Sequence, residues 1–345
     1  ALAALVDRCE VVLTDLRGFT ARNEGCRSDC PTHTDMAAYK AEFMSHYYEG
    51  RWRPRQAWSM GRIGEWAPLA ARFPGAANFL SSHSLVKAIA GVARERSLPR
   101  FAAATFRSSF KPSGRGEPVV LFDDCFNNHF RPASAVAAQG LLERSGAAVA
   151  LPARRLCCGR PYYDFGMLGR ARAALERVLE TLSPKIERGV PVVVLEPGCL
   201  SVFRDELHQL FPGDARAARL AAGVVSLSEL LNRRGFQADI GGKALMHAHC
   251  HQKSLWGTKD DVQLLRNCGV EVLAPDTGCC GMSGSFGYRP EFFQTSRRIA
   301  GLALLPALQA APDAAVVASG FSCREQIEGL AGRPTLHLAE LLATP

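Results

Sequence analysis

Several features are missing from this sequence of 345 residues, and each absence removes a class of function. No apolar run approaches the roughly 20 residues that a bilayer-spanning helix needs, so no transmembrane segment is expected. The opening stretch, ALAALVDRCEVVL, has neither an initiator Met nor the basic-then-apolar order of a secretory signal. The expectation is a cytoplasmic chain, processed or, preferably, a fragment whose true start lies upstream. Lysine is scarce, with 7 against 34 arginines, so the net charge of +8 rests on guanidinium groups. These are scattered, the densest run being RWRPR at Arg51–Arg55, without the basic and aromatic interleaving of a nucleic-acid reader. No nucleic-acid partner is expected. The close C-x₂-C pairs of zinc ribbons are absent. So are a dinucleotide-type glycine loop, a metal-hydrolase helix motif and a nucleophile elbow, since Ser283-Gly284-Ser285 lacks the G-x-S-x-G frame.

Cysteine, by contrast, is abundant, with 12 residues. In a chain of this length without a secretion signal, such residues read as metal ligands or redox thiols rather than a disulfide framework. Two pairs are vicinal, Cys157–Cys158 and Cys279–Cys280. A disulfide between adjacent residues would strain the intervening peptide, so these doublets point to another use. Cys9 and Cys268 stand alone and read as small buried hydrophobes.

The second half of the chain repeats the first. LFDDCFNNHF around Cys125 matches LMHAHCHQKS around Cys250. RLCCGRPYYDFG matches DTGCCGMSGSFG, and VPVVVLEPGCLSVFRDEL around Cys199 matches DAAVVASGFSCREQIEGL around Cys323. The cysteine offsets are 125, 122 and 124 residues, so three landmarks keep register. Each repeat alternates strands and helices. Strands are expected at Val119–Phe122, Ala147–Leu151 and Val192–Leu195, then at Ala244–His247, Val270–Ala274 and Ala315–Ala318. Helices are expected at Ala133–Arg144, Leu168–Leu182, Asp260–Asn267 and Glu291–Leu305.

This is an α/β pattern, and it sets the cysteines just past strand ends, where open α/β sheets place ligands. Cys125, Cys157, Cys158 and Cys199 form one candidate set, and Cys250, Cys279, Cys280 and Cys323 the other. Gly159 and Gly281 allow the sharp turns that two consecutive thiols need to face one centre. Four thiolates suit an iron–sulfur cluster or tetrahedral zinc, and spacing does not choose between them. His247, His249 and His251 alternate around Cys250, with His249 a weaker candidate ligand. Backbone N–H groups of Gly159–Gly166 and Gly278–Gly287 are candidate donors to the sulfurs. Arg160, Lys253 and Arg324 are nearby cations that read first as solvated surface charges.

The repeated C…CCG…C pattern resembles the paired cysteine-rich CCG domains of heterodisulfide reductase B subunits. It is also similar to the iron–sulfur subunit of glycolate oxidase and the C-terminal part of FAD-linked D-2-hydroxyacid dehydrogenases. HAHCHQKSLWG, GCCGMSGSFGY, ASGFSCREQI and LEPGCLSVFRDEL look most like the last group. The resemblance implies tandem Rossmann-like units at 118–240 and 241–345, preceded by a helical arm and linker at 36–117 and a ferredoxin-like remnant at 1–35. It implies that the eight cysteines hold iron–sulfur centres, with zinc in one repeat as a variant. Electrons would pass from FAD, carried by an upstream domain or a partner flavoprotein, to a quinone or other acceptor, peripherally at the inner membrane face. The substrate would be a D-2-hydroxyacid of the D-lactate, glycolate or D-2-hydroxyglutarate type. The alternatives are a heterodisulfide-reductase-like thiol/disulfide subunit and a zinc-bound or cluster-free scaffold. Two departures stand out. Val202 and Gln326 occupy the second cysteine of a C-x-x-C, and Cys26 and Cys30 lack the two preceding cysteines of a ferredoxin run.

Overall fold

The computed structural model describes residues 35–344, so Cys9, Cys26, Cys30 and most of the expected ferredoxin-like remnant lie outside the described residues. The short apolar, β-branched runs become strands. In the first repeat these are β1 (Glu117–Phe122), β2 (Ala147–Ala150), β3 (Val192–Val194) and β4 (Val224–Val225). In the second they are β5 (Lys243–Met246), β6 (Glu271–Leu273), β7 (Ala315–Val317) and β8 (Thr335–Leu336). Each set forms a parallel four-stranded sheet, in the orders β2-β1-β3-β4 and β6-β5-β7-β8. Val120 pairs with Val192 in one and Ala244 with Ala315 in the other. The outer dipeptides β4 and β8 are too short to announce themselves by periodicity.

This order puts the first strand of each repeat in the middle, with the chain winding outward on either side of it. The β1–β3 and β5–β7 seams are therefore topological switch points, where the carboxyl ends of adjacent strands leave a crevice. Helices cover the faces. Leu168–Ile186 buries Ala171, Ala174, Leu175, Val178, Leu179 and Leu182, an apolar stripe at helical spacing. The helix expected over Glu291–Leu305 is instead two, Phe293–Leu302 and Leu304–Ala310. The chain breaks at Ala303, and Pro306 has no N–H to give the carbonyl four residues back.

The two repeats share a core. Leu121, Val193 and Val225 of the first sheet belong to the same buried cluster as Ala244, Met246 and Val317 of the second. Polar groups brace the seam as well. The buried Glu196 carboxylate, past β3, accepts from Phe321 N–H at 2.9 Å, at the start of the helix Phe321–Ala331. From that helix Arg324, fully buried, donates to Ser134 Oγ at 3.0 Å and Asn127 Oδ1 at 3.3 Å in the first repeat. The reading of Arg324 as a surface charge is thus corrected: its guanidinium is enclosed, and its two terminal nitrogens donate across the seam.

Ahead of the sheets, the arm folds as short helices, Met36–Tyr47, Arg55–Ser59, Ile63–Ala70, Pro74–Ser82 and Ser84–Ala90. It grips both repeats. Arg53 donates to the carbonyls of Phe165 and Gly166, and buried Arg96 donates to Gly287 O, Gln326 Oε1 and Ser296 Oγ. Among the described residues no helix is long and apolar enough to cross a membrane.

A core shared across both sheets predicts that the repeats unfold together. Leu121→Ala, at a fully buried position, is expected to cost about 3 kcal/mol in urea denaturation while leaving one transition. Two separate transitions, with only one moved by the substitution, would contradict the shared core.

Candidate metal centres

Each thiol row is assembled from three loops at the carboxyl edge of its sheet. Cys125 opens the short helix Cys125–His129 after β1, where the Asp124 side chain caps the N-terminus by accepting from Phe126 and Asn127 N–H. Cys199 lies on Pro197–Ser201 after β3. The doublet Cys157–Cys158 comes from the loop after β2. The second repeat copies this with Cys250 opening Cys250–Leu255 behind an N-capping His249, Cys323 on Phe321–Ala331, and Cys279–Cys280 after β6. The expected sharp turns are present, since Gly159 has φ +83° and Gly281 has φ +87°. A Cβ on Gly281 would also stand 2.2 Å from Ser296 O, so this turn tolerates no side chain.

The sulfurs of each row are linked in one order. In the first, Cys125 pairs with Cys157, Cys157 with Cys158, and Cys158 with Cys199, the last two sulfurs being 2.9 Å apart. In the second, Cys250 pairs with Cys279, Cys279 with Cys280, and Cys280 with Cys323. The expected backbone donors are found, with Gly159 N–H 3.5 Å from Cys157 Sγ and Gly281 N–H 3.3 Å from Cys279 Sγ.

Crowding splits the thiol acidities. Cys157 is held well below the ordinary thiol range by hydrogen bonds from Cys125 and Cys158, and Cys279 likewise by Cys250 and Cys280. Their partners Cys125, Cys158, Cys250 and Cys280 are pushed well above it, because each shares its proton with a thiolate and is buried. For Cys199 the bond from Cys158 favours the thiolate, but burial and the carboxylates of Asp124 and Glu196 outweigh it and push the thiol up to about 12. Cys323 is the exception at its end of the row, held low by Cys280 and also by His247.

His247 marks a difference between the repeats. Its ring, buried, bonds Thr277 Oγ1 through Nδ1 at 2.6 Å, which leaves Nε2 for the sulfurs. A ligand atom from each of His247, Cys280 and Cys323 lies within 4.8 Å of the others. At the 125-residue offset the first repeat has Phe122 here. His249, the imidazole singled out from sequence, is instead the helix cap and groups with Cys250 and His251. Its Nδ1 accepts from His251 N–H at 3.2 Å.

Gln326, in place of a further cysteine, donates to Cys280 O at 2.8 Å and so fixes the doublet, while Val202 is buried in the core. Arg160 is mostly enclosed, bonding Ser201 Oγ, His251 Nδ1 and Glu206, whereas Lys253 is partly exposed and pairs with Asp276. Gly64 was not legible beforehand. A Cβ there would sit 2.9 Å from Cys157 Sγ and 3.9 Å from Cys125 Sγ, so the arm's backbone forms a wall of the first centre. A lone glycine in a helix carries no signal for that role.

Two rows of four thiols joined neighbour to neighbour, each row with a backbone donor and with Cys158, Cys199, Cys280 and Cys323 buried, fit a thiolate-held metal or iron–sulfur centre. Cys125, Cys157, Cys158 and Cys199 would hold one, and Cys250, Cys279, Cys280 and Cys323 the other, with His247 at hand in the second.

Comparison with known proteins accords with this geometry. The cysteine-rich domain CCG matches residues 119–204. The chain is 26% identical over 343 residues to D-2-hydroxyglutarate dehydrogenase of Pantoea ananatis, covering 92% of this chain and 33% of that protein. It is 26% identical over 301 residues to a subunit of the anaerobic glycerol-3-phosphate dehydrogenase of Escherichia coli K12, covering 82% and 74%. It is 32% identical over 183 residues to lactate utilization protein A of Anoxybacillus flavithermus, covering 50% and 75%. The chain thus spans about a third of the length of the D-2-hydroxyglutarate dehydrogenases it matches.

Gly64→Val is expected to lower the metal content of the first repeat while the second keeps its own, read by metal analysis and absorbance. Equal loss from both repeats, or none, would contradict the wall. Metal uptake should also release protons, because thiols pushed above the ordinary range must ionise to ligate. Affinity is therefore expected to fall as pH falls, checked by calorimetric titration in two buffers of different ionisation enthalpy; buffer-independent heats would contradict it.

Proposed function

Because the chain belongs to the CCG cysteine-rich-domain family, we propose that it is the iron–sulfur electron-transfer portion of a flavin-linked oxidoreductase. The flavin and the substrate site belong to a flavoprotein domain or partner. The substrate is a D-2-hydroxyacid of the D-lactate, glycolate or D-2-hydroxyglutarate type, and the electrons pass to a quinone or other acceptor at the cytoplasmic face of the membrane. The observation that carries this reading is the pair of four-sulfur rows at equivalent sheet edges. Relatives named as dehydrogenases or dehydrogenase subunits support it.

When bound, an iron–sulfur centre takes up and passes on electrons one at a time, at a potential tuned by charge, hydrogen bonds to sulfur and burial. The chain's own residues do the tuning. Gly159 and Gly281 N–H donate to Cys157 and Cys279, which offsets negative charge on the sulfurs. His247, oriented by Thr277, adds a polar partner beside Cys280 and Cys323 that Phe122 cannot supply to the first repeat. Arg324 places a fully buried cation next to Cys323 in the sequence, across the seam from Asn127. The burial of Cys158, Cys199, Cys280 and Cys323 keeps water from the sulfurs.

A second reading applies to the second repeat alone: zinc in place of a cluster, favoured by the imidazole beside two thiols. Anaerobic purification with iron, zinc and acid-labile sulfide analysis separates the two. Iron with matching sulfide and an EPR signal on reduction is the expected result. Zinc confined to the second repeat selects the second reading, and a folded, colourless, sulfide-free protein would overturn the relay.

A further inference from the structure

The arm meets the two thiol rows in different ways. Beside the first it leaves a large cavity of about 760 Å³, lined by Cys125, Cys157, Cys158 and Cys199 and by none of the second row's cysteines. Against the second it packs directly. Val92 and Leu98 of the arm join the apolar cluster that contains Cys280 and Cys323. Between them, Ala93 N–H donates to Tyr288 O at 2.7 Å, which fixes the arm against the loop that follows the doublet. From this segment Arg96 turns inward and is 5% exposed.

Arg96 directs Nε to Gly287 O at 2.7 Å, one terminal nitrogen to Gln326 Oε1 at 2.6 Å and the other to Ser296 Oγ at 2.9 Å. All three acceptors are neutral. Among the described residues no carboxylate pairs with Arg96, whereas Arg131, Arg160 and Arg204 each bond a glutamate. The ionisable groups that act on it are Tyr288, Cys280 and Arg297. Tyr288 is pushed well up by burial and stays uncharged, and Arg297 is a second cation. Cys280 alone can supply negative charge, once its thiol ionises to ligate. A buried guanidinium without an anion is costly, and burial lowers its pKa, yet it stays charged. Gln326, itself fully buried, carries the contact onward, since its Nε2 donates to Cys280 O at 2.8 Å. Turning that amide over would set its NH2 against the guanidinium and its oxygen against the carbonyl, so Arg96 dictates its orientation. The first repeat has no counterpart of Gln326, because Val202 stands there in the apolar core.

We propose that Arg96 is the counter-charge of the second centre: a positioning residue that fixes the Cys280 carbonyl through Gln326 and whose otherwise unpaired guanidinium stabilises the ionised sulfurs. The inference rests on the electron-transfer reading above and concerns what sets the potential of the second centre. One electron, supplied by the flavoprotein partner, adds one negative charge to a thiolate-held centre, and a buried cation nearby favours that gain. Arg96 therefore raises the potential of the second centre. The first, which the arm meets with the Gly64 backbone and the cavity, lacks this effect.

The test is an anaerobic redox titration of the full chain with its centres in place, followed by EPR. The signal that survives Cys157→Ser belongs to the second centre. Arg96→Met keeps an apolar stem and removes the charge, while Arg96→Lys keeps the charge and loses the fork. Arg96→Met is expected to shift the one-electron equilibrium of the second centre about tenfold against reduction, about 59 mV, and to leave the first centre unmoved. Arg96→Lys should restore most of that shift. Gln326→Glu, which sets a carboxylate beside the guanidinium, should move the second centre in the same direction as Arg96→Met. Iron and sulfide are measured on the same samples, so that intact centres are compared. An unmoved second centre in Arg96→Met, or equal shifts in Arg96→Met and Arg96→Lys, would overturn the proposal. If Arg96→Met loses the second centre altogether, the other two variants decide. A second centre near its normal potential in Arg96→Lys and lowered in Gln326→Glu then supports the counter-charge, and any other pattern refutes it. Such a failure with both centres reducible refutes this proposal alone. An unaltered chain whose second row holds no reducible centre refutes the relay in that repeat, and the proposal with it.

Discussion

Four thiols packed in contact and away from water present an electrostatic problem that the polypeptide does not solve alone. In each row the first sulfur of the doublet is stabilised as a thiolate by its neighbours' protons, and that same arrangement drives those neighbours' acidities the other way. Full ionisation would place several like charges side by side in a low-dielectric pocket, so it requires a cation among them. Much else in the structure follows from holding that arrangement open: glycine turns after each doublet, short helices that start at the cysteines, and a sheet edge where three loops meet.

The same demand explains why the repeats do not stand apart. Burying the rows at two sheet edges brings those edges toward one another, and polar groups then bridge them. Glu196 of the first repeat caps the helix that carries Cys323, and Arg324 of that helix reaches Asn127, two residues from Cys125. Each centre is thus braced by the other half. The arm completes the enclosure, pressing Gly64 against the first row and, through Arg96 and Gln326, holding the carbonyl of Cys280 in the second. A shift in the arm would reach both centres through these contacts.

Duplication has not left the halves equivalent. His247 stands where the first repeat has Phe122, so one row has an imidazole beside it and the other an aromatic ring. The large cavity touches the first row and stops short of the second row's cysteines.

Residue order alone was enough to read the duplication, the α/β class, the eight converging cysteines and the need for glycine after each doublet. These are legible because they depend on local rules: strand periodicity, the positive φ of a tight turn, and register between repeats. The break at Ala303 and the dipeptide strands β4 and β8 escaped it, since such short segments take their form from neighbours rather than from propensity. That His247 joins Cys280 and Cys323 while His249 caps the next helix beside Cys250 was settled by packing in three dimensions, because alternation along the chain does not say which loop each ring meets. Packing likewise enclosed Arg324, a residue whose charge would otherwise place it at the surface, by bringing Ser134 and Asn127 to it across the seam. It also gave Gly64 its role and made the cavity, for both arise where residues distant in the chain pack against one another, and no local pattern encodes such a contact.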